Sequence, residues 1–336
     1  MKFVEDIITL SYGSGGEQSE NLIKNVILPK VGNSKLNILG DGASLNLGGE
    51  IAFSTDSFVI NPLFFVGGDI GKLAVCGTCN DLLMCGSIPK YLSLALIIEE
   101  GLSIENLNRI IESLSETAKI AGVEIVTGDT KVVEKGHGDG IFINTSGIGI
   151  KVENLRLGKE RIKPGDKVIV TGNIGDHGIS IMCERNNFFQ GAVKSDCAYL
   201  YPLASIIFEY GDKIKILRDP TRGGVATTLN EFVDGTNYSI EIQEERLPFS
   251  EGALGASEIL GIDLLYAANE GKALIVVDES IAEELVEKLR KVDLGKEASI
   301  IGEVVSYEKE KVLLKGLLGG RRILNKLASD LFPRIC

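Results

Sequence analysis

Apolar positions along this chain recur at two periods, and each change of period marks out an element. Between Ile104 and Ala121, Leu107, Ile110, Ile111 and Leu114 fall at helical spacing, which predicts an amphipathic helix. Leu92 to Ile98 is a short, nearly continuous apolar run and reads as a buried strand. Ile51–Thr55, Glu124–Thr127 and Ile141–Asn144 read as further strands. A helical stretch from Glu20 to Leu28 is expected to stop at Pro29, and a helical period runs from Gly71 to Met84. This half mixes strands and helices without the regular βαβ alternation of a doubly wound sheet.

A boundary is expected between Val152 and Gly165. There the charged run Arg156, Lys159, Glu160, Arg161 and Lys163 gives way to the turn signal Pro164-Gly165-Asp166 and the strand Lys167–Val170. Beyond it, helices are predicted at Ile179–Arg185, Tyr199–Tyr210, Ala253–Leu260 and Ile281–Val292. Another helix follows the loop at 219–224 and runs to Val233. Strands are predicted at Ser239–Ile242, Ala273–Val277 and Ala298–Val305. Both halves are therefore α+β, and 336 residues is a length that suits two domains.

Composition narrows the function classes. Apolar and charged fractions of 44% and 24% are ordinary for a globular chain. The 40 glycines are not, and they cluster at 13–16, 48–49, 67–71 and 223–224, as if the backbone approached something closely there. A net charge of −12 argues against binding nucleic acid but not against a nucleotide carrying magnesium. No apolar run reaches the length of a membrane span. The first residues lack the basic start and apolar stretch of a signal peptide, so a cytoplasmic protein with mostly reduced cysteines is expected. Cys76 and Cys79 form a CxxC at helical spacing, followed by Cys85, but no second pair has the spacing of a zinc site. These three, with Cys183 and Cys197, read as small buried thiols.

Acidic residues recur beside glycines and at strand ends: Asp41-Gly42, Thr55-Asp56, Gly68-Asp69, Asn80-Asp81 and Gly128-Asp129-Thr130-Lys131. Each Asp-Gly pair alone is a turn signal. Several such loops converging would make a magnesium–phosphate site. Gly13-Ser14-Gly15-Gly16 offers backbone N–H groups to phosphates, although the chain has neither a Walker A motif nor a strand–GxGxxG–helix unit. The sequence closes on Leu331-Phe332-Pro333-Arg334-Ile335-Cys336, a thiol on the last residue. Prenylation would place the cysteine four residues from the end, so that reading is set aside.

Read in order, these segments resemble the HypE family of hydrogenase maturation proteins, within the aminoimidazole ribonucleotide synthetase-like ATP enzymes. The resemblance rests on Gly13-Ser14-Gly15-Gly16, Asp41-Gly42-Ala43, Ser54-Thr55-Asp56-Ser57, Pro62-Leu63-Phe64-Phe65, Gly67 to Ala74 and Asn80-Asp81-Leu82. It continues through Val126 to Lys131, Gly175-Asp176-His177-Gly178, Asp219 to Gly224, Ala268-Asn269-Glu270-Gly271 and Pro333-Arg334-Ile335-Cys336. It covers essentially the whole chain, and the closing PRIC is its most specific part. One departure is Tyr12, where the family often has His before the glycine loop.

The resemblance implies a two-domain α+β fold with N-terminal strands forming a dimer barrel and a flexible C-terminal tail. The expected boundaries are 1–155 for ATP binding and dimerisation, 156–320 for the second α+β domain, and 321–336 for a mobile tail. The implied activity is ATP-dependent dehydration of a carbamoyl group on Cys336 to a thiocyanate, the source of cyanide for the iron of [NiFe]-hydrogenase. ATP and Mg2+ are the implied cofactors. The implied partners are a HypF-like carbamoyltransferase, a HypC–HypD scaffold and a second copy of the chain. Asp41, Asp56, Asp69, Asp81 and Asp129 form the implied magnesium–ATP set, with Gly13, Ser14, Gly15, Gly16, Lys72, Asn80, Gly128 and Thr130 binding the nucleotide. Lys131 meets phosphate or polarises the carboxamide, Glu270 or Asp81 is the base, and His177 positions phosphate or tail. Two other readings stand beside this one. A small-molecule kinase or synthetase of the same superfamily would not need Cys336, and a carrier protein would bind ATP only as a regulator.

Overall fold

The computed structural model describes residues 6–14, 16–40, 42–187, 191–327 and 334–336, so Gly15, Asp41 and Pro333 lie outside the described residues. The chain forms two compact units. One comprises residues 6–82, 87–151 and 334–336, the other residues 83–86 and 152–327.

The first unit contains β1 (Ile51–Phe58), β2 (Phe64–Phe65), β3 (Gly68–Asp69), β4 (Ser87–Glu99), β5 (Glu124–Val133) and β6 (Ile141–Lys151). Four of them make a sheet in the order β1-β6-β4-β5, antiparallel except where β4 runs parallel to β5. The helices are α1 (Glu17–Leu22), α2 (Leu28–Val31), α3 (Ile70–Met84) and α4 (Ile104–Ala121). The apolar stripe of α4 is wholly buried. Its ends follow from local chemistry: the Ser103 hydroxyl accepts from Asn106 N–H at 3.1 Å, and Gly122 closes the helix at φ 67°.

Pro29 does not end the first helical stretch. A π-turn at Ile23–Ile27 separates α1 from α2 and places Pro29 in the first turn of α2, where a missing N–H costs nothing. The acidic positions also sit differently from the loops expected of them. Asp56 is inside β1, Asp81 inside α3 and Asp129 inside β5, because β1 and β5 run three and six residues beyond their apolar starts. What carries β5 onward is its ladder with β4, where Gly128 opposes Leu94. A Cβ on Gly128 would lie 2.5 Å from the Leu94 carbonyl oxygen, so this approach requires glycine.

The second unit holds β7 (Lys167–Val170), β8 (Ile214–Arg218), β9 (Ser239–Gln243), β10 (Leu274–Val277), β11 (Ser299–Val305), β12 (Val312–Lys315) and β13 (Arg321–Leu324). They form one sheet ordered β13-β12-β9-β11-β7-β10-β8. Helices α5 (Asp176–Asn186), α6 (Tyr201–Phe208), α7 (Gly224–Val233), α8 (Glu251–Leu260) and α9 (Ala282–Leu289) accompany it. Val168, Val170, Leu274 and Val276 pack with Val225, Leu229 and Phe232 of α7, whereas Ile169, Ile275 and Val277 pack with Leu203 of α6 and Leu285 of α9. Both faces of the central strands are covered, which is why they read as unbroken apolar runs. Strands β8, β12 and β13 escape the sequence pattern because they are only four or five residues long and charged residues interrupt or border them.

Candidate active site

The predicted residues fall into local groups, each positioned by a different element. In the first unit the N-terminal helical segment lies over β5 and β4 and leaves a cavity of about 250 Å³. Tyr12, Gly13 and Ser19 line it from the helical side, and Gly128, Asp129, Thr130 and Lys131 from β5, over an apolar floor that includes Leu94 and Ile125. Gly13 permits this arrangement, since a Cβ there would sit 2.6 Å from Val132 N. Ser14 donates its N–H to Ser11 and its hydroxyl to the same carbonyl, and Gly16 precedes α1 with an extended backbone. Lys131 and Asp129 pair at 2.6 Å on the cavity rim, and the ammonium holds the Asp129 carboxyl below the usual carboxylate range.

A second group lies between β1 and α3. Ser54 donates to Asp81 Oδ2 at 2.7 Å. Asp56 is two residues along the same side of β1, and its Oδ2 stands 3.7 Å from the place a Gly77 Cβ would occupy. Gly77 and Asp81 are one turn apart on α3, so the two carboxylates address the same groove. Two carboxylates so placed suit magnesium, which usually takes one or two of them together with phosphate oxygens. Asp129 belongs elsewhere. Ser57, Asn144, Ala95 and Asp129 are paired in a row across the sheet, so β1 and β5 lie about 14 Å apart at strand spacing. A single ion cannot draw on both edges. Among the described residues no three acidic, His or Cys side chains form a metal cluster.

Asp69 caps α3. Its Oδ1 accepts from Gly71 N–H at 2.7 Å and Lys72 N–H at 3.1 Å. Burial pushes its carboxyl up, against the pull of the Ser113 hydroxyl and these N–H groups. Lys72 donates to the Gly67 carbonyl at 2.8 Å, and Asn80 is buried within α3. Cys76 and Cys79 are buried in the same helix, and burial pushes the Cys79 thiol far up, away from reactive thiolate chemistry. Cys183 and Cys197 are buried as expected, but Cys85, just past the helix end, is exposed.

The second unit carries Glu270 and His177. Asn269 ties three segments together, accepting from Gly175 N–H at 2.8 Å and donating to the carbonyls of Pro220 and Ala267. This sets the backbone of the next residue, Glu270, whose N–H donates to Asp196 Oδ1 at 3.0 Å. Asp196 in turn pairs with the buried Lys272 at 3.5 Å. A Cβ on Gly271 would lie 1.8 Å from the Asp196 carbonyl oxygen, so glycine is required after Glu270. His177 is fully buried in the first turn of α5, with Nδ1 2.8 Å from the Ser195 hydroxyl. Burial, with Asp196 nearby, also pushes the Asp176 carboxyl up, against the Ser250 hydroxyl bond. The sequence singled out neither Asp196 nor Lys272; the only signal for Lys272 was its place directly after Asn269-Glu270-Gly271.

Cys336 belongs to the first unit. Its carbonyl accepts from Val59 N–H at 3.1 Å, and the Arg334 carbonyl accepts from Asn61 N–H at 3.3 Å. Ile335 between them is buried.

The chain matches two family models, the N-terminal domain of AIR synthase related protein over residues 39–151 and its C-terminal domain over residues 163–315. It is 44% identical to the carbamoyl dehydratase HypE of Escherichia coli K12, over 98% of this chain and 99% of that protein. It superposes on a crystal structure of hydrogenase maturation protein HypE in complex with ATP with a TM-score of 0.93, at 43% identity over 97% of this chain and 99% of that one. A chain of a crystallised HypE–HypF complex matches with a TM-score of 0.80 at 46% identity, over 91% and 99% of the two chains.

Proposed function

The chain belongs to the carbamoyl dehydratase HypE family, and on that premise we propose that it converts a carbamoyl group on Cys336 to a thiocyanate at the expense of ATP, supplying cyanide for the iron of [NiFe]-hydrogenase. The observation that carries this reading is kinship over the full length of the relative rather than over one domain. A carboxamide oxygen leaves poorly, and ATP supplies the phosphoryl group that makes it a leaving group. The carboxamide loses that oxygen as phosphate and gives up two N–H protons, and the C≡N bond remains on sulfur. Glu270 is the base for those protons. Asn269, Gly271 and Asp196 fix its backbone. Asp56 and Asp81 would hold magnesium with the nucleotide's phosphates, and the cavity beside Gly13, Gly128 and Thr130 would take part of the nucleotide. Lys131 on its rim would meet negative charge. Lys72 holds the Gly67 carbonyl and His177 meets the Ser195 hydroxyl, so each would also position its own loop.

The partner that loads Cys336 is a HypF-like carbamoyltransferase, as the assembly formed by the crystallised relative supports, and a HypC–HypD scaffold receives the cyanide. The protein works as a homodimer in the cytoplasm. None of its described helices is long and apolar enough to cross a membrane. The test is the intact mass of the carbamoylated protein with and without magnesium–ATP, with the modified residue mapped. Loss of the mass of one water, confined to Cys336 and dependent on ATP, is expected. A carbamoyl mass that ATP leaves unchanged would overturn the reading. Cys336→Ala should leave folding and nucleotide binding intact while thiocyanate formation stops.

A further inference from the structure

The last three residues are held by much more than their main chain. Val59 pairs with Cys336 and Asn61 with Arg334, so the tail runs antiparallel to the segment that leaves β1. Two such hydrogen bonds hold three terminal residues weakly, since each is worth little net of its exchange with water. The Arg334 side chain adds further contacts. Its Nε and Nη2 both donate to the Val59 carbonyl at 3.1 Å, its Nη1 forms an ion pair with Asp139, and its guanidinium lies 5.9 Å from the Phe142 ring centroid. Arg334 takes φ 60°, a left-handed conformation that a non-glycine residue adopts only when its surroundings compensate. That turn lets the carbonyl of Arg334 reach Asn61 while its side chain folds back on Val59. It also buries Ile335 to 2% exposure.

We propose that Arg334 is the positioning residue for the C-terminal cysteine. With Asp139 and Phe142 it latches the tail along Val59–Asn61, and release of the latch presents the thiol to the donor that loads it. The second clause rests on the reading of Cys336 as the carbamoyl acceptor; the first does not. Arg334 and Asp139 are each more than one-third exposed, so their attraction is screened by salt and the latch loosens as ionic strength rises.

The experiment follows alkylation of Cys336 by an iodoacetamide reagent, mapped by peptide mass, in wild type, Asp139→Asn and Arg334→Lys at low and high salt. The exposed Cys85 serves as internal reference. Loss of a partly exposed pair should raise the Cys336 rate about threefold in Asp139→Asn and remove its dependence on salt, with Cys85 unchanged. Arg334→Lys keeps the charge but loses the paired donation to Val59, and should also react faster than wild type. Rates at Cys336 equal to wild type in both variants would overturn the latch. Asp139 lies in a loop between glycines, and an unchanged melting temperature separates release of the tail from loss of the fold. Carbamoylation by the HypF-like transferase is then compared in the same proteins. Faster loading of Asp139→Asn is expected, and equal loading would overturn the gating clause. If no variant is ever carbamoylated at Cys336 while alkylation still responds, the acceptor reading fails and the latch stands.

Discussion

At Asp69 a carboxyl is nearly buried and yet accepts two backbone N–H groups at the start of α3. Burial is the larger effect and raises its pKa, so the folded state binds a proton more tightly than the unfolded chain. Stability at this site is therefore lost as pH rises from the unfolded value through the raised folded one. Asp69→Asn keeps an acceptor for Gly71 and Lys72 without the buried charge. In thermal melts its stability relative to wild type should improve as pH rises from about 4 to about 7. Asp278 behaves oppositely: the Ser280 hydroxyl and N–H, then Lys163, hold its carboxyl down at about 2. Its contribution is present above the unfolded carboxylate value and is lost as pH falls toward 2, so Asp278→Ala should flatten the acid limb of the stability curve. Neither behaviour was legible in the sequence, where Asp69 was one of five similar acidic positions. What separates Asp69, capping a helix, from Asp81, bonded to Ser54 beside Asp56, is the neighbour each meets after folding. Burial of Cys76 and Cys79 was legible, because both fall within one apolar helical period.

Among the elements, α4 was readable from end to end from its apolar stripe alone, and the structure adds its Ser103 cap and its closing Gly122. Ser103→Ala should cost about 1 kcal/mol, measured by chemical denaturation, because the Asn106 N–H loses its acceptor. The true length of β5 was not readable. Its second half is polar and is carried by pairing with β4, whose sequence is remote from it. Gly128→Ala tests that dependence. The new methyl group meets the Leu94 carbonyl, so the variant should lose about 1–3 kcal/mol and distort the adjoining cavity. Pro29 makes the same point: its tolerance depends on the π-turn before it, which no local pattern announced.

At the scale of the whole molecule, the outward face of the first unit's sheet carries exposed apolar side chains beside a polar row of Thr55, Ser57, Asn144 and Ser146. Ile51, Phe53 and Ile97 project from it, with Phe53 66% exposed. Exposed apolar groups of this kind suit the proposed contact with a second copy of the chain, and if that contact runs through them Phe53→Glu should sediment as a monomer in analytical ultracentrifugation, with the chain still folded, where the wild type sediments as a dimer. By itself the sequence determined two α+β domains, the family resemblance that the full-length match establishes, and the periods of the larger helices. These rest on local periodicity and on short motifs whose residues are neighbours in the chain. Only the tertiary structure decided which acidic residues meet, that Asp196 bonds the backbone of Glu270, and that Arg334 and Asp139 seat the terminal cysteine. Those pairs are separated by tens to hundreds of residues, and periodicity carries no information about contacts that arise only when distant strands and helices pack.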